Sequence, residues 1–409
     1  MSKVRVLAIP SDKHGVGKFR IIDPFTFIGD NHSSDVHVDL VFDVPNRDDF
    51  FDNYDVVIFH TLIHRSNHED NIKRLKWLKS VGKTIVMDTD DYWRVDQRHP
   101  MYETFKSKNL AGKRVEMLRL SDYVTCTTNL YRDKLISLLN HDRVHVFPNA
   151  VNEEENQFKV KPIKSSKVRF GWLGGSSHLH DIELMKGGIS QMHRQYKDKV
   201  QFVLCGFDLR GNMREINKVT GQVNERPIRP EETVWTKYEG IFTDDYKTLD
   251  IPHVDYLKRY SSEPFLNELD KPYVRRWTLD INKYATNYNY FDVSLAPLVK
   301  SEFNGYKSQL KVIEAGFHKK PIIATAENPY LIDLIDSYDR GTKVDNGNSL
   351  LVQTSKNHKQ WFQQMKRLVE SPSLREELGE KLYETVKDKY SLKKVCQDRV
   401  EFLKTINKN

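Results

Sequence analysis

The sequence has no apolar run approaching the ~18 residues that a membrane-crossing helix needs, which argues against a protein built on spanning helices. Cysteine is scarce too. Cys126, Cys205 and Cys396 stand far apart, in neither a zinc-ligand spacing nor a disulfide framework, as suits a reducing cytoplasm. The chain enters a strand-like run at Val4–Ile9, so no secretory leader is expected and the expected location is cytoplasmic, in the host if the gene is a phage's. No internal repeat is visible, and no oligomeric state is specified by the pattern. Neither charge sign dominates: 64 Lys+Arg against 57 Asp+Glu leave a net charge of +7, which permits an anionic partner without requiring one.

What is present is a long, folded, polar chain. Its 409 residues predict two to three domains at ~100–200 residues each. With 20 Phe, 19 Tyr and 6 Trp it has too many aromatics to be disordered. In the first third, short apolar runs at Val4–Ile9, Val36–Phe42, Val56–Phe59, Thr84–Met87, Tyr123–Cys126 and Val144–Phe147 read as strands. Ile72, Leu75 and Leu78 recur at helical spacing between two of them. Short buried strands alternating with helices predict a parallel sheet covered on both faces.

The polar stretch 152–167 reads as a linker. A second series then begins, with strands at Val168–Leu173, Val200–Cys205, Phe291–Leu295 and Pro321–Ala324 and helices near 181–196, 306–318 and 328–336. Residues 209–270, with Pro227, Pro230, Pro252 and Pro264, fit neither series and read as an insertion. The stretch 356–406 reads as helical, broken near Ser371–Ser373 and Tyr390–Ser391. The expected domains are a Rossmann-like unit over 1–155, a second over 156–390 that carries the insertion, and a C-terminal helix over 391–409 that packs back on the first.

Four segments have the composition of a site. In FNGYKSQLKVIEAGFHKKPIIAT, residues 303–325, the spacing of Lys307, Lys311 and Glu314 predicts one shared helix face. A helix start with Ser308 and two lysines suits a diphosphate, and a carboxylate one turn on suits a ribose. The same spacing also describes an amphipathic helix with a Lys–Glu pair on its wet side. In GWLGGSSHLHDIELM, residues 171–185, Gly174, Gly175 and Ser176 follow a buried strand, where backbone N–H groups can approach a phosphate. His178 and Asp181 open the next helix, and a capped tight turn explains them equally well.

In GVGKFR, residues 15–20, the Walker pattern fails because Phe19 stands where Ser or Thr is required. Gly15 and Gly17 still predict a flexible loop at a strand's carboxyl end, where open α/β sheets bind ligands, with Lys18 and Arg20 facing an anion or solvent. In MDTDDYW, residues 87–93, Asp88, Asp90 and Asp91 have the look of a metal-binding carboxylate set. The favoured reading is that they cap a helix and hold loop amides, so no metal is assigned.

FPNAV at 147–151, the Gly-Gly–Ser–His segment, VLCGFD at 203–208 and KSQLKVIEAG at 307–316 followed by Pro321 together resemble the retaining glycosyltransferases of the GT-B type, family 4 and its relatives. The DxDD–Tyr-Trp segment resembles transferases of phage and bacterial surface-glycan genes. The resemblance implies two Rossmann-like doubly wound domains facing across a cleft, with a helical C-terminal stretch crossing back. It implies transfer of a sugar from a nucleotide-diphosphate sugar to a hydroxyl, with retention and with no cofactor required.

Glu314 matches the family's ribose-binding glutamate, and Lys307, Ser308 and Lys311 match positions near the diphosphate. Many members carry a glutamate where Lys307 stands, a departure that suits a Lys-Ser-x-x-Lys subgroup. The expected catalytic set is His178, Lys307, Lys311 and Glu314. The donor set adds Gly15, Gly17, Lys18, Arg20, Gly174, Gly175, Ser176 and Ser308. Asp88, Asp90, Asp91, Tyr92, Trp93 and His99 are expected on the acceptor side. The acceptor is expected to be a glycan or, as the alternative, hydroxymethylated DNA contacted by Lys159, Lys161, Lys164, Lys167 and Arg169. A peripheral membrane contact is expected from Lys73, Arg74, Lys76 and Lys79 beside Trp77. A non-catalytic sugar-nucleotide or carbohydrate-binding protein of the same shape stays open on sequence grounds.

Overall fold

Val56–His60 is buried at all five positions, as a strand must be when helices cover both faces of its sheet. It is β3 of a six-stranded sheet. In this computed structural model, which describes residues 3–208, 212–216, 222–249, 251–258, 271–353 and 358–407, the other strands of that sheet are β1 (Val4–Ile9), β2 (Val36–Leu40), β4 (Thr84–Asp88), β5 (Tyr123–Cys126) and β6 (Val144–Val146). Their order is β2-β1-β3-β4-β5-β6, and every pairing is parallel. The order reverses at β1, so the loops at its carboxyl end stand at a switch point.

The chain forms two compact units. Unit 1 is residues 1–154, 300–314 and 385–409; unit 2 is 155–299 and 315–384. In unit 1 the helix His68–Ser80 buries Ile72, Leu75 and Leu78 on one sheet face. The opposite face is covered by Asp23–Asn31 and by the C-terminal helix Leu392–Ile406, whose Leu392, Val395, Val400, Phe402 and Leu403 pack among Val6, Ile21, Phe25 and Phe147. Ser391 caps that last helix by accepting from the Lys394 amide.

Unit 2 holds β7 (Val168–Leu173), β8 (Val200–Phe207), a hairpin of β9 (Asn212–Ile216) and β10 (Val223–Pro227), then β11 (Tyr273–Trp277), β12 (Val293–Ala296), β13 (Ile322–Thr325), a short hairpin of β14 (Tyr338–Asp339) and β15 (Thr342–Lys343), and β16 (Leu350–Val352). Its main sheet runs β11-β8-β7-β12-β13-β16, all parallel. Trp172, Trp235, Tyr238 and Trp361 anchor its core.

Several sequence expectations change. Residues 306–318 form no single helix: a short helix, Glu302–Gly305, is followed by an irregular bend and then Leu310–Phe317. Residues 328–336 hold only a 3-10 turn, Tyr330–Ile332, after a cis Asn328–Pro329 bond. The stretch 209–270 contributes the β9–β10 hairpin and the helix Val234–Phe242, which buries Trp235, Tyr238 and Phe242 in unit 2's core. It therefore supplies core as well as surface; its residues 209–211, 217–221, 250 and 259–270 lie outside the described residues.

Candidate functional site

In unit 1 the site grows from the carboxyl ends of β3 and β4. Asp88 closes β4 with no exposed surface, and Arg20 reaches it from the turn after β1 through Nε at 2.9 Å and Nη2 at 2.7 Å. The Thr125 hydroxyl donates to the same carboxylate at 2.5 Å. Burial alone would raise the Asp88 carboxyl, but the adjoining guanidinium outweighs it and holds the group below the usual carboxylate range. Arg20 also donates through Nη1 to the Phe147 carbonyl at 2.6 Å and to Asn149 Oδ1 at 3.2 Å. Asn149 in turn donates to Ser308 Oγ at 2.9 Å. One polar chain thus runs from Asp88 through Arg20 and Asn149 to the Lys-Ser segment.

Beside it, His60 ends β3 with Nε2 3.0 Å from Asp90 Oδ1 and Nδ1 3.0 Å from Thr61 Oγ1. Since an ionised Asp90 only accepts, Nε2 is the donor in that bond. Thr61 holds φ at 72°, a left-handed conformation that strains a β-branched residue by ~1–3 kcal/mol. Burial raises the Asp90 carboxyl, but its bond to His60 and the nearby charges of His60, Arg20 and Arg114 together outweigh it, so the group titrates below the ordinary range. The next carboxyl goes the other way: crowding by neighbours and the Asp90 charge raise Asp91, while Lys307 opposes. Asp91 itself keeps an exposed surface, so water moderates the size of that rise. Two adjacent carboxylates are therefore driven apart, the pattern of paired acid and base roles.

The Lys-Ser segment is held by aromatic packing. Tyr306 lies edge-on to Tyr92 at 5.1 Å and stacks with Tyr131 at 6.2 Å. The Lys134 ammonium pairs with Glu302 at 2.9 Å and sits over both Tyr92 and Tyr306. Lys307 Nζ lies 4.4 Å from the Phe303 ring centre, and Phe303 meets the His99 ring at 5.2 Å. Burial and then the Lys307 charge depress the His99 imidazole. Lys311 and Glu314 both fall on the helix Leu310–Phe317, whereas Lys307 precedes it, so the three do not share one helix face. Glu314 is buried at 4% exposure.

Other expected site residues are placed differently. Gly15 and Gly17 lie in a helical turn, Gly15–Gly17, that continues through a wide turn, Lys18–Ile22, into the helix from Asp23. The Asp12 carboxylate already accepts from the His14 amide at 2.7 Å and the Gly17 amide at 3.3 Å, taking the place an anion would fill. A Cβ on Gly17 would meet the Asp12 carbonyl oxygen at 1.9 Å, which accounts for the glycine by packing. Lys18 is buried and paired with Asp23 at 2.8 Å, and Arg20 is wholly buried. Neither presents a charge to a donor. Tyr92 and Trp93 are buried at 1% and 5% exposure in the tyrosine cluster, so they shape the wall behind Asp91 instead of stacking on an acceptor.

In unit 2, β7 runs into Gly174 and Gly175, with Ser176 exposed beyond them. Tyr238 braces the turn: its hydroxyl accepts from the His178 amide at 2.8 Å and lies 3.3 Å from the Gly175 carbonyl. His178 Nδ1 meets Asp181 at 2.6 Å, and Asp181 also accepts from the Val299 amide at 2.7 Å. The ring edge of Trp172 fixes the imidazole from the other side at 5.8 Å. Among the described residues no group of three His, Cys, Asp or Glu side chains gathers as metal ligands, since Asp88 and Asp90 are engaged by Arg20 and His60. Sequence reasoning missed His60, Thr61, Tyr131, Tyr238 and Tyr306. A histidine closing a fully apolar strand was the one signal available for His60.

No protein-family model matches the chain, and no curated protein does. Solved structures do. Sucrose-phosphate synthase from Thermosynechococcus elongatus is similar over 99% of this chain and 99% of its own, with TM-score 0.63 and 11% identity. HepE of Anabaena, solved with UDP and glucose, is similar over 98% of this chain and 100% of its own, with TM-score 0.61 and 11% identity. TarM is similar over 85% of this chain and 54% of its own, with TM-score 0.54 and 14% identity. At these identities the likeness establishes the fold: the two parallel six-stranded sheets with their helices are those of the GT-B architecture.

Proposed function

We propose that this GT-B chain is a retaining glycosyltransferase that moves a sugar from a nucleoside diphosphate sugar to a glycan hydroxyl. The observation that carries the reading is the Asp88–Arg20–Asn149–Ser308 chain. It ties the Lys-Ser segment to the carboxyl ends of the strands, where ligands of open α/β sheets bind. HepE has been solved with UDP and glucose and with UDP-glucose, which supports a nucleotide sugar as donor and makes UDP the first nucleotide to test.

Negative charge develops on the departing diphosphate. Lys307, Lys311 and Ser308 meet it in this reading, and Glu314 takes the ribose. In unit 2 the Gly174, Gly175 and Ser176 turn and His178 are the donor contacts. Loss of one such contact is worth roughly 3–4 kcal/mol in the barrier. No protein nucleophile is assigned: the leaving phosphate itself takes part in deprotonating the acceptor, with Asp91 the carboxylate open to an incoming hydroxyl. Cationic side chains take the part of a metal. A glycan is preferred to DNA because Arg169, one of the expected phosphate contacts, is buried in a two-point pair with Asp292.

The test is a thermal-shift series with nucleoside diphosphates and nucleotide sugars, followed by transfer from a labelled donor to saccharides and to hydroxymethylated and unmodified DNA in parallel. Stabilisation by one nucleotide, turnover on a saccharide and a product anomer matching the donor's are expected. Binding without turnover on any acceptor would leave a sugar-nucleotide-binding protein, and transfer to hydroxymethylated DNA alone would replace the glycan.

A further inference from the structure

A basic stretch follows Asp91. Residues 94–114 carry six cations against two carboxylates. Among the described residues only Arg98 of the six pairs with a carboxylate, Asp96 at 3.5 Å. Elsewhere in unit 1 cations find partners. The helix His68–Ser80, which the sequence pattern offers to a membrane, gives Arg74 to Asp48 at 2.6 Å and Lys79 to Asp122 at 3.1 Å. Lys134 meets Glu302 at 2.9 Å. Clustered like charges repel, so a stretch that keeps Lys113 and Arg114 side by side is stabilised by an anion from outside.

Arg114 is the member of this stretch that reaches the site. The helix Leu110–Leu120 buries Met117 and Leu118 in the core that holds Leu75 and Val124. Arg114 stands three and four residues before them, on the same face and one turn nearer the helix start. Its side chain is therefore half-buried, and its guanidinium ends beside the carboxyl end of β4. Nη1 donates to Thr89 Oγ1 at 3.4 Å. That oxygen lies 3.1 Å from the Tyr131 hydroxyl, which donates to the Asp91 carbonyl at 3.1 Å. Burial and the Asp90 charge raise the Asp91 carboxyl, and Lys307 and, less, Arg114 oppose them.

The rest of the guanidinium is unused. Nε and Nη2 take no hydrogen-bond partner among the described residues. The three guanidinium nitrogens of Arg399 are sealed from solvent without a partner, whereas Nε and Nη2 of Arg114 are not sealed, so a ligand can reach them. These two nitrogens form the edge with which Arg20 holds Asp88 and Arg169 holds Asp292. Two parallel charge-assisted bonds from that edge to a carboxylate or phosphate are roughly twice as strong as bonds between neutral groups. A neutral sugar leaves the charge unmet. Lys307 lies on the Lys-Ser segment assigned to the departing diphosphate, but Arg114 belongs to no donor element. The anion it fits is therefore carried by the acceptor, whose hydroxyl comes to Asp91.

We propose that Arg114 selects an anionic acceptor: its Nε–Nη2 edge holds a carboxylate or phosphate on the saccharide whose hydroxyl meets Asp91, an inference that rests on the transferase reading. Saturation-transfer difference NMR on the full chain tests it with matched pairs, tetragalacturonate against its methyl ester and glucose 6-phosphate against glucose. The two pairs also separate a carboxylate from a phosphate. At least one charged member should bind tenfold or more tighter than its neutral counterpart. Arg114→Met should abolish that preference. Arg114→Lys, which keeps the charge without the fork, should retain only part of it. The thermal shift given by UDP should stay the same in both variants. A purely structural arginine would lower the melting temperature and leave the preference in place, which would overturn the proposal. Charged and neutral members binding alike, or no saccharide binding, would overturn it as well. Binding to phosphatidylglycerol vesicles in place of every soluble probe would make the stretch a membrane contact and defeat the proposal too. An Arg114-dependent preference in a protein that ignores every nucleotide would sustain this site and defeat the transferase reading instead.

Discussion

Asn149 and Ser308, 159 residues apart in the chain, are joined by a 2.9 Å hydrogen bond from the asparagine amide to the serine hydroxyl. The same asparagine accepts from Arg20, and so transmits the position of a buried ion pair to the segment beside Lys307. Four consequences of this and of other contacts in the two units can be measured.

Arg20→Met should cost about 3–5 kcal/mol of stability, because it leaves the Asp88 charge buried without its partner. Arg20→Met combined with Asp88→Leu should recover much of that loss, since neither charge is then stranded. Urea unfolding of both variants at pH 7 checks it; equal losses in the single and double variants would mean that the pair is not the source.

Lys307→Ala should lower kcat about 10²–10³-fold with little change in the fold, the range found when one donor to a developing negative charge is removed. Glu314→Ala should instead weaken nucleotide binding tenfold or more, equivalent to at least ~1.4 kcal/mol. Isothermal titration with UDP, alongside turnover, separates the two. Activity should survive EDTA in the unsubstituted protein; a loss restored by Mn²⁺ would give the Asp88–Asp91 segment a role at the reacting centre.

His318 should make stability depend on pH. It stacks 4.8 Å from Tyr288, and neither ring nitrogen has a hydrogen-bond partner. Burial, with a contribution from the Lys320 charge, pushes its imidazole down to about 3. Between that value and the unfolded ~6.5 the unfolded state holds the extra proton. The stability is therefore fully present above ~6.5 and is lost as pH falls, by about 1.4 kcal/mol per pH unit. His318→Leu should flatten this slope in denaturation curves taken from pH 7 to 4.5. Asp88 adds a separate loss only below its unfolded value of ~3.9, since its folded value is depressed.

Gly206→Ala should destabilise unit 2 by about 1–3 kcal/mol. The glycine holds φ at +93°, and a Cβ there would lie 2.3 Å from the Gly174 carbonyl oxygen. Because that oxygen belongs to the turn before Ser176, nucleotide affinity should fall together with the melting temperature. A variant of unchanged melting temperature would show that the turn tolerates the side chain.

Periodicity made most of the scaffold legible. Ile72, Leu75 and Leu78 were readable as one buried helix face, Tyr123–Cys126 and Val168–Leu173 form strands over those residues, and the helix breaks near Ser371 and Tyr390 were marked by polar residues. Where tertiary contacts outweigh local pattern, the reading failed. Lys307, Lys311 and Glu314 have helical spacing, yet Tyr306 packs on Tyr92 and Tyr131 and Ser308 bonds to Asn149, so the chain stays irregular until Leu310. Gly15 and Gly17 suggested a loop, but the Asp12 carboxylate occupies its amides. His60 and Asp90 meet only because β3 and β4 are neighbours in register, with His60 opposite Asp88, a pairing that no local spacing announces.

Unit 1 also draws on residues 300–314 and 385–409, which sets the timetable of its synthesis. Its sheet is translated first, yet the helix Leu392–Ile406 that covers Val6, Phe25 and Phe147 follows only after everything from 155 to 384 has been made. At ~5–20 residues per second that interval is roughly ten to fifty seconds. Throughout it, the sheet face that Leu392–Ile406 shares with Asp23–Asn31 is covered by the earlier helix alone. Expression should accordingly depend on chaperones that hold nascent chains. A fragment ending at Glu154 should aggregate, and the helix supplied in trans as a peptide should restore part of its solubility.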